Sequence, residues 1–207
     1  MKRVVITGMG VRSPLGTSVA GQAAALRAGG HGIRRMPEWA VYKGLRSLLA
    51  APAELKDEKA IPRQHRRSMG RMSLFAAQAA QEALHDARCD PAALGDGRTG
   101  CVAGSTTGSA ATLNQVFETM LPGRDFTQLQ ATQFFQCISH SVAMNVAQYL
   151  GIRGVVLSTN AACASALFWS SYSVLSRRLG KVPTEAVAGF CLGTSALSLA
   201  AHLAFET

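Results

Sequence analysis

A short β-branched run, Val155-Val156-Leu157-Ser158-Thr159, leads within a few residues into Ala164 to Leu179, which is mostly apolar or small and free of Gly and Pro until Gly180. The first reads as a buried strand and the second as a helix. Cys163 falls where the one becomes the other. A thiol at that point faces the helix's unpaired N–H groups and the positive end of its dipole. Both favour the thiolate, which is the nucleophilic form. The same N–H groups suit an oxyanion formed on a carbonyl attacked by the sulfur. The ordinary alternative is a small, inert core cysteine.

The same alternation recurs upstream. Arg3 to Thr7 reads as a buried strand ended by Gly8 and Gly10, with a turn at Ser13-Pro14. Ser18 to Ala28 reads as a helix closed by Gly29-Gly30. Residues 31–61 have mixed polarity, carry Pro37 and Pro52, and read as a surface excursion. Pro62 suits the first turn of a helix, or of two in succession, reaching about Ala87. Thr99 to Gly104 reads as a strand, Ser109 to Leu121 as a helix, 124–132 as a loop, and Phe134 to Leu150 as one helix closed by Gly151. Glu185 to Leu192 reads as a further strand, and Ser195 to Phe205 as a strand or helix. Strands alternating with helices argue a three-layer α/β fold with a largely parallel sheet.

The 207 residues suffice for one sizeable core, and 48% hydrophobic content excludes a disordered chain. No apolar run is long enough to span a bilayer, which needs about 20 residues. Met1-Lys2-Arg3 leads into a strand and not into a signal peptide's apolar core, so a cytoplasmic protein with no membrane partner is expected. The cysteines at 89, 101, 137, 163 and 191 lack C-x-x-C spacing, which suggests neither metal nor a disulfide framework. Cys89 and Cys101 read as structural or exposed. A net charge of +9 implies an acidic partner. With 6% aromatic residues and no recognisable motif, nucleic acid is not expected to be that partner.

Ala162-Cys163-Ala164-Ser165 after a strand resembles the nucleophile motif of β-ketoacyl-acyl-carrier-protein synthases, the ketosynthases of the thiolase superfamily. Three other stretches resemble the same family's landmarks in order and spacing. They are Val4-Val5-Ile6-Thr7-Gly8-Met9-Gly10 with Ser13-Pro14-Leu15-Gly16, Arg66-Arg67-Ser68-Met69-Gly70-Arg71, and Val102-Ala103-Gly104-Ser105-Thr106-Thr107-Gly108-Ser109. The resemblance covers residues 1 to about 170. It implies a thiolase-like three-layer α/β/α fold, of which residues 1–207 supply one βαβαβαββ half of a pseudo-symmetric pair, the carboxy-terminal half being absent.

The family's chemistry follows as an expectation. Cys163 takes an acyl group from the phosphopantetheine thioester of an acyl carrier protein, and a decarboxylated malonyl extender then attacks the acyl-cysteine. No cofactor is bound by the protein itself. Two family histidines promote the second step, in His-Gly-Thr-Gly-Thr-like and Gly-Phe-Gly-Gly-like contexts. None of His31, His65, His85, His140 and His202 stands in such a context. Ala188 to Gly193 also departs from the family's Gly-Gly and acidic pattern, Ala166 stands where Gly is common, and the tail from about Arg177 is least family-like.

Thr107, Gly108, Phe135, Cys137 and His140 fall, by resemblance, near the family's acyl pocket, with Thr106, Phe134 and Ile138 close by. Each is as readily a packing residue or loop glycine, and His140, between Ser139 and Ser141, as readily a hydrogen-bonded core histidine. Arg63, Arg67 and Arg66 lie at helical spacing and can form one positive face, which the resemblance assigns to docking the carrier protein. A solvated helix face is the plain alternative. The expected assembly is a homodimer or a heterodimer with a ketosynthase subunit. The competing functions are a chain-length-factor-like partner of an active ketosynthase, and a basic binding module with a vestigial site. A lone half should also leave apolar surface bare.

Overall fold

The computed structural model describes residues 4–160, which lie within one compact unit, Met1–Ala162. Helix α1 spans Val19–Arg27, and the Ser18 hydroxyl caps it by accepting the Gly21 N–H at 3.2 Å. Gly29, with φ at +67°, turns the chain away. The excursion is mainly exposed, as expected, yet it contains a small antiparallel pair, β1 (Arg34–Arg35) with β2 (Leu49–Ala50). Ile61, 1% exposed, anchors its far end in the core.

Pro62 precedes the short helix α2 (Arg63–Arg66), and α3 (Arg71–Asp86) follows after a break. The parallel pair comes next. Strand β3 (Cys101–Gly104) runs beside β4 (Val156–Thr159), with Cys101 opposite Val156 and Gly104 opposite Thr159. Between them the chain makes α4 (Ala110–Met120), α5 (Ala131–Cys137) and α6 (Ser141–Leu150). Parallel strands require such a crossover. Gly151, at φ +71°, closes α6.

The core forms where α3 packs on α6, with Ile61, Met69, Leu74, Ala77, Val142 and Val146 buried together. Asn145 is buried in the same place at 1% exposure. Its amide donates to the Ser68 carbonyl (3.2 Å) and Ser73 Oγ (3.3 Å), and its oxygen accepts from Ser68 Oγ (2.8 Å). This buried polar group is therefore satisfied.

Two expectations need correction. Val4–Thr7 forms no strand: Val4, Val5 and Ile6 are 69%, 68% and 84% exposed. The chain just after them is fastened to α3 instead, where Asp86 accepts the Met9 N–H (2.9 Å) and Glu82 the Val11 N–H (3.2 Å). The single helix over Phe134 to Leu150 is two helices. Ile138 is extended, at φ −87° and ψ 137°, which ends α5 before α6 begins. The expectations for residues beyond 160, including the strand over Glu185 to Leu192, lie outside the described residues.

Candidate active site

The carboxyl ends of β3 and β4 are joined. The Ser105 N–H donates to the Thr159 carbonyl at 3.0 Å. A Cβ on Gly104 would lie 3.3 Å from Thr159 Oγ1, so a side chain here would press on the neighbouring strand. The Asn160 amide, its nitrogen turned inward, donates to the Ser105 carbonyl at 2.9 Å. The turn after β3 and the segment leaving β4 thus issue from one edge of the sheet. That edge is where parallel α/β sheets bind ligands. Cys163, three positions past Asn160, lies outside the described residues, as does the helix mouth expected to activate it.

The proposed pocket residues are brought together in part. Gly108 is buried, and a Cβ there would lie 1.8 Å from the Cys137 carbonyl oxygen. The turn after β3 and the end of α5 therefore touch backbone to backbone, which only Gly permits. Ser109 caps α4 by accepting the Thr112 N–H, and its own N–H donates to the Gln136 carbonyl at 2.8 Å. Thr107 is exposed, and its carbonyl accepts the Ser105 hydroxyl at 2.8 Å. Phe135 and Phe134 pack edge to face, at 39% and 63% exposure. His140 stands exposed at the start of α6, so it is not a core histidine.

Arg63 and Arg67 share one face, since the Arg67 N–H donates to the Arg63 carbonyl at 3.1 Å, and both are exposed. Among the described residues neither side chain joins an ion pair. Arg66 is drawn aside by Glu58, whose carbonyl it meets at 3.2 Å and whose carboxylate at 3.8 Å. Arg71 is also engaged, donating to the Ala53 carbonyl and lying over the Phe75 ring. Among the described residues, the unengaged part of this basic face thus narrows to Arg63 and Arg67.

Gln136 was not legible as a site residue. Its amide donates to the Arg67 carbonyl (3.2 Å), and its oxygen accepts from Thr112 Oγ1 (3.2 Å). It ties the basic turn at Arg67 to α4 and α5, a link between distant stretches that no spacing announces. Burial pushes the Cys101 and Cys137 thiols up, away from the thiolate. Among the described residues, no three His, Cys, Asp or Glu side chains gather to hold a metal, and no helix is long and apolar enough to cross a membrane.

A parallel pair joined by a helical crossover marks an α/β protein. The chain belongs to the beta-ketoacyl synthase family: residues 1–203 match the model described as beta-ketoacyl synthase, N-terminal domain. It is 32% identical to 3-oxoacyl-[acyl-carrier-protein] synthase 1 of Haemophilus influenzae over 181 residues, 87% of this chain and 44% of that enzyme. It therefore spans less than half the length of that relative. A crystal structure of a beta-ketoacyl synthase from Burkholderia phymatum superposes with TM-score 0.73 at 36% identity, covering 92% of this chain and 50% of that one. The ishigamide ketosynthase/chain length factor gives TM-score 0.72 at 25% identity, covering 91% and 50%. A shorter likeness points elsewhere: 63% identity over 46 residues, 22% of this chain and 16% of that one, to an aromatic amino acid exporter of Ancylobacter novellus.

Proposed function

We propose that the chain is the amino-terminal half of a β-ketoacyl synthase of fatty acid or polyketide synthesis, acting in the cytoplasm, and that Cys163 is its acyl acceptor. The observation that supports this is the joined edge at Ser105, Thr159 and Asn160, from which the chain continues toward Cys163. The thiolate of Cys163 attacks the thioester carbonyl of an acyl group on a carrier protein's phosphopantetheine. A new C–S bond forms at Sγ, the old one breaks, and the pantetheine sulfur leaves and takes up a proton. Gly108 and Cys137 form one wall of the acyl site, with Thr107, Phe135 and His140 around it, and no protein-bound cofactor is needed. Arg63 and Arg67 receive the acidic carrier protein, Arg66 lending charge from the side. Condensation needs the two family histidines, whose motifs this sequence lacks, so the isolated chain acylates without condensing.

The likeness to a ketosynthase/chain length factor supports a second reading, a non-condensing partner within a heterodimer, against which the retained Cys163 weighs. A homodimer serves the first reading.

The test is intact-protein mass spectrometry after incubation with an acyl carrier protein thioester. The chain should gain one acyl mass, and Cys163→Ser should gain none. Gain by the serine variant, or none by the unaltered chain, would overturn the proposal. Robust malonyl decarboxylation by the pure chain would overturn its restriction to the first step.

A further inference from the structure

We propose that Gln136 is a positioning residue for transfer from a carrier-bound donor, because it fastens the basic turn at Arg67 to the helix end that bears Cys137. The inference rests on the reading of Arg63 and Arg67 as the docking face and of Gly108 with Cys137 as the wall of the acyl site.

Arg67 ends α2, and the last carbonyls of a helix have no partner within it. The Gln136 amide comes from far along the chain to supply one, donating to the Arg67 carbonyl at 3.2 Å. That carbonyl only accepts, so it fixes which end of the amide faces it. The Gln136 oxygen is thereby turned to α4, where Thr112 Oγ1 donates to it at 3.2 Å. Thr112 Oγ1 also lies 3.0 Å from Ser109 Oγ, and both residues are buried. The Gln136 main chain is held as well, its carbonyl accepting the Ser109 N–H at 2.8 Å.

The neighbouring residues close the same junction from other sides. Ser68 is bound to Asn145 of α6. A Cβ on Gly70 would come 2.8 Å from Ser109 Cβ and 3.4 Å from the Gln136 carbonyl oxygen, so the turn lies directly against the start of α4 and the last turn of α5. Cys137, the next residue, meets Gly108 through its own carbonyl. Two successive residues of α5 therefore hold the two parts that a carrier-borne acyl group must bridge, Gln136 the docking turn and Cys137 the proposed wall. Arg67 keeps an exposed side chain on a pinned main chain. Such pinning matters because misplacing a positioning group by about 1 Å is costly to transfer.

The experiment compares two donors of the same acyl group: an acyl carrier protein thioester, and an acyl-pantetheine thioester that has no carrier to dock. Loading of Cys163 is read by mass spectrometry. Gln136→Met keeps the bulk and removes both side-chain bonds. It should lower kcat/KM for the carrier donor about fivefold relative to the pantetheine donor, the size of one lost hydrogen bond, and through KM rather than kcat. Binding of a labelled carrier protein, read by fluorescence anisotropy, should weaken by the same factor. Thr112→Val, which frees the other end of the amide, should act in the same direction more weakly. In an Arg67→Gln background Gln136→Met should add nothing, since its action passes through Arg67. Equal losses with both donors would overturn the proposal, because Gln136 would then serve the fold alone. So would an undiminished effect beside Arg67→Gln, or unaltered carrier binding by Gln136→Met. An unaltered chain that binds no carrier protein would overturn the docking reading and this inference with it.

Discussion

Gly108→Ala tests the junction of the turn after β3 with α5. The added Cβ would stand 1.8 Å from the Cys137 carbonyl oxygen, 2.1 Å from its carbon and 2.9 Å from its Cα. All three are backbone atoms, so no rotamer change relieves the contact, and α5 must move. Overpacking costs about 1–3 kcal/mol, and the absence of a flexible neighbour places this case at the upper end. A loss of about 3 kcal/mol lowers the melting temperature of a chain of this size by roughly 6–12 °C. Gly123→Ala is the control, because its Cβ would come no closer than 3.8 Å, to Asp125 Cβ. That change should stay within about 0.5 kcal/mol, as for an ordinary surface substitution. Thermal melts followed by circular dichroism compare the two. If Gly108→Ala melted with Gly123→Ala, the close approach and the pocket wall built on it would be wrong.

Asn145→Leu should destabilise by about 2–3 kcal/mol in urea denaturation, because Ser68 and Ser73 lose buried partners. Burial raises the Glu82 carboxyl, but the Val19 N–H, the Arg12 guanidinium and the Val11 N–H outweigh it and hold it below the ordinary value. Its contribution is therefore present above the unfolded carboxylate value and lost as pH falls through the lowered one. Melting from pH 6 downward should show a loss starting near pH 4.5 that Glu82→Gln flattens. Arg63→Glu with Arg67→Glu should slow carrier-protein association at low salt, the difference shrinking as salt rises; stopped-flow at two ionic strengths reads it. Light scattering should show self-association, since Val155, Val156, Leu157 and Val102 are all more than 40% exposed.

Local signals were read well where one residue decides one terminus. Ser18 and Ser109 cap their helices, Gly151 ends α6, and Pro62 opens α2, each by a short-range bond or a fixed dihedral that the residue type announces. What failed depended on partners far along the chain. The β-branched run at Val4–Ile6 looks like a strand, but a strand needs a neighbour to pair with, and its following residues bond to α3 instead. The break at Ile138 breaks no rule of composition, since an apolar β-branched residue sits as well in a helix as between two. At the candidate site, Gly108 and Cys137 were named separately. Their contact was hidden because it is made by main-chain atoms, which the sequence does not vary.

A wall made of main chain has a consequence for variation within the family. In the proposed acyl site, substituting Phe134 or Phe135 leaves the Gly108–Cys137 contact untouched, so under that proposal acyl preference can change through those positions while the scaffold stays fixed. A saturation library across residues 104–110 and 133–139 should therefore tolerate most side chains at the two phenylalanines and almost none at Gly108.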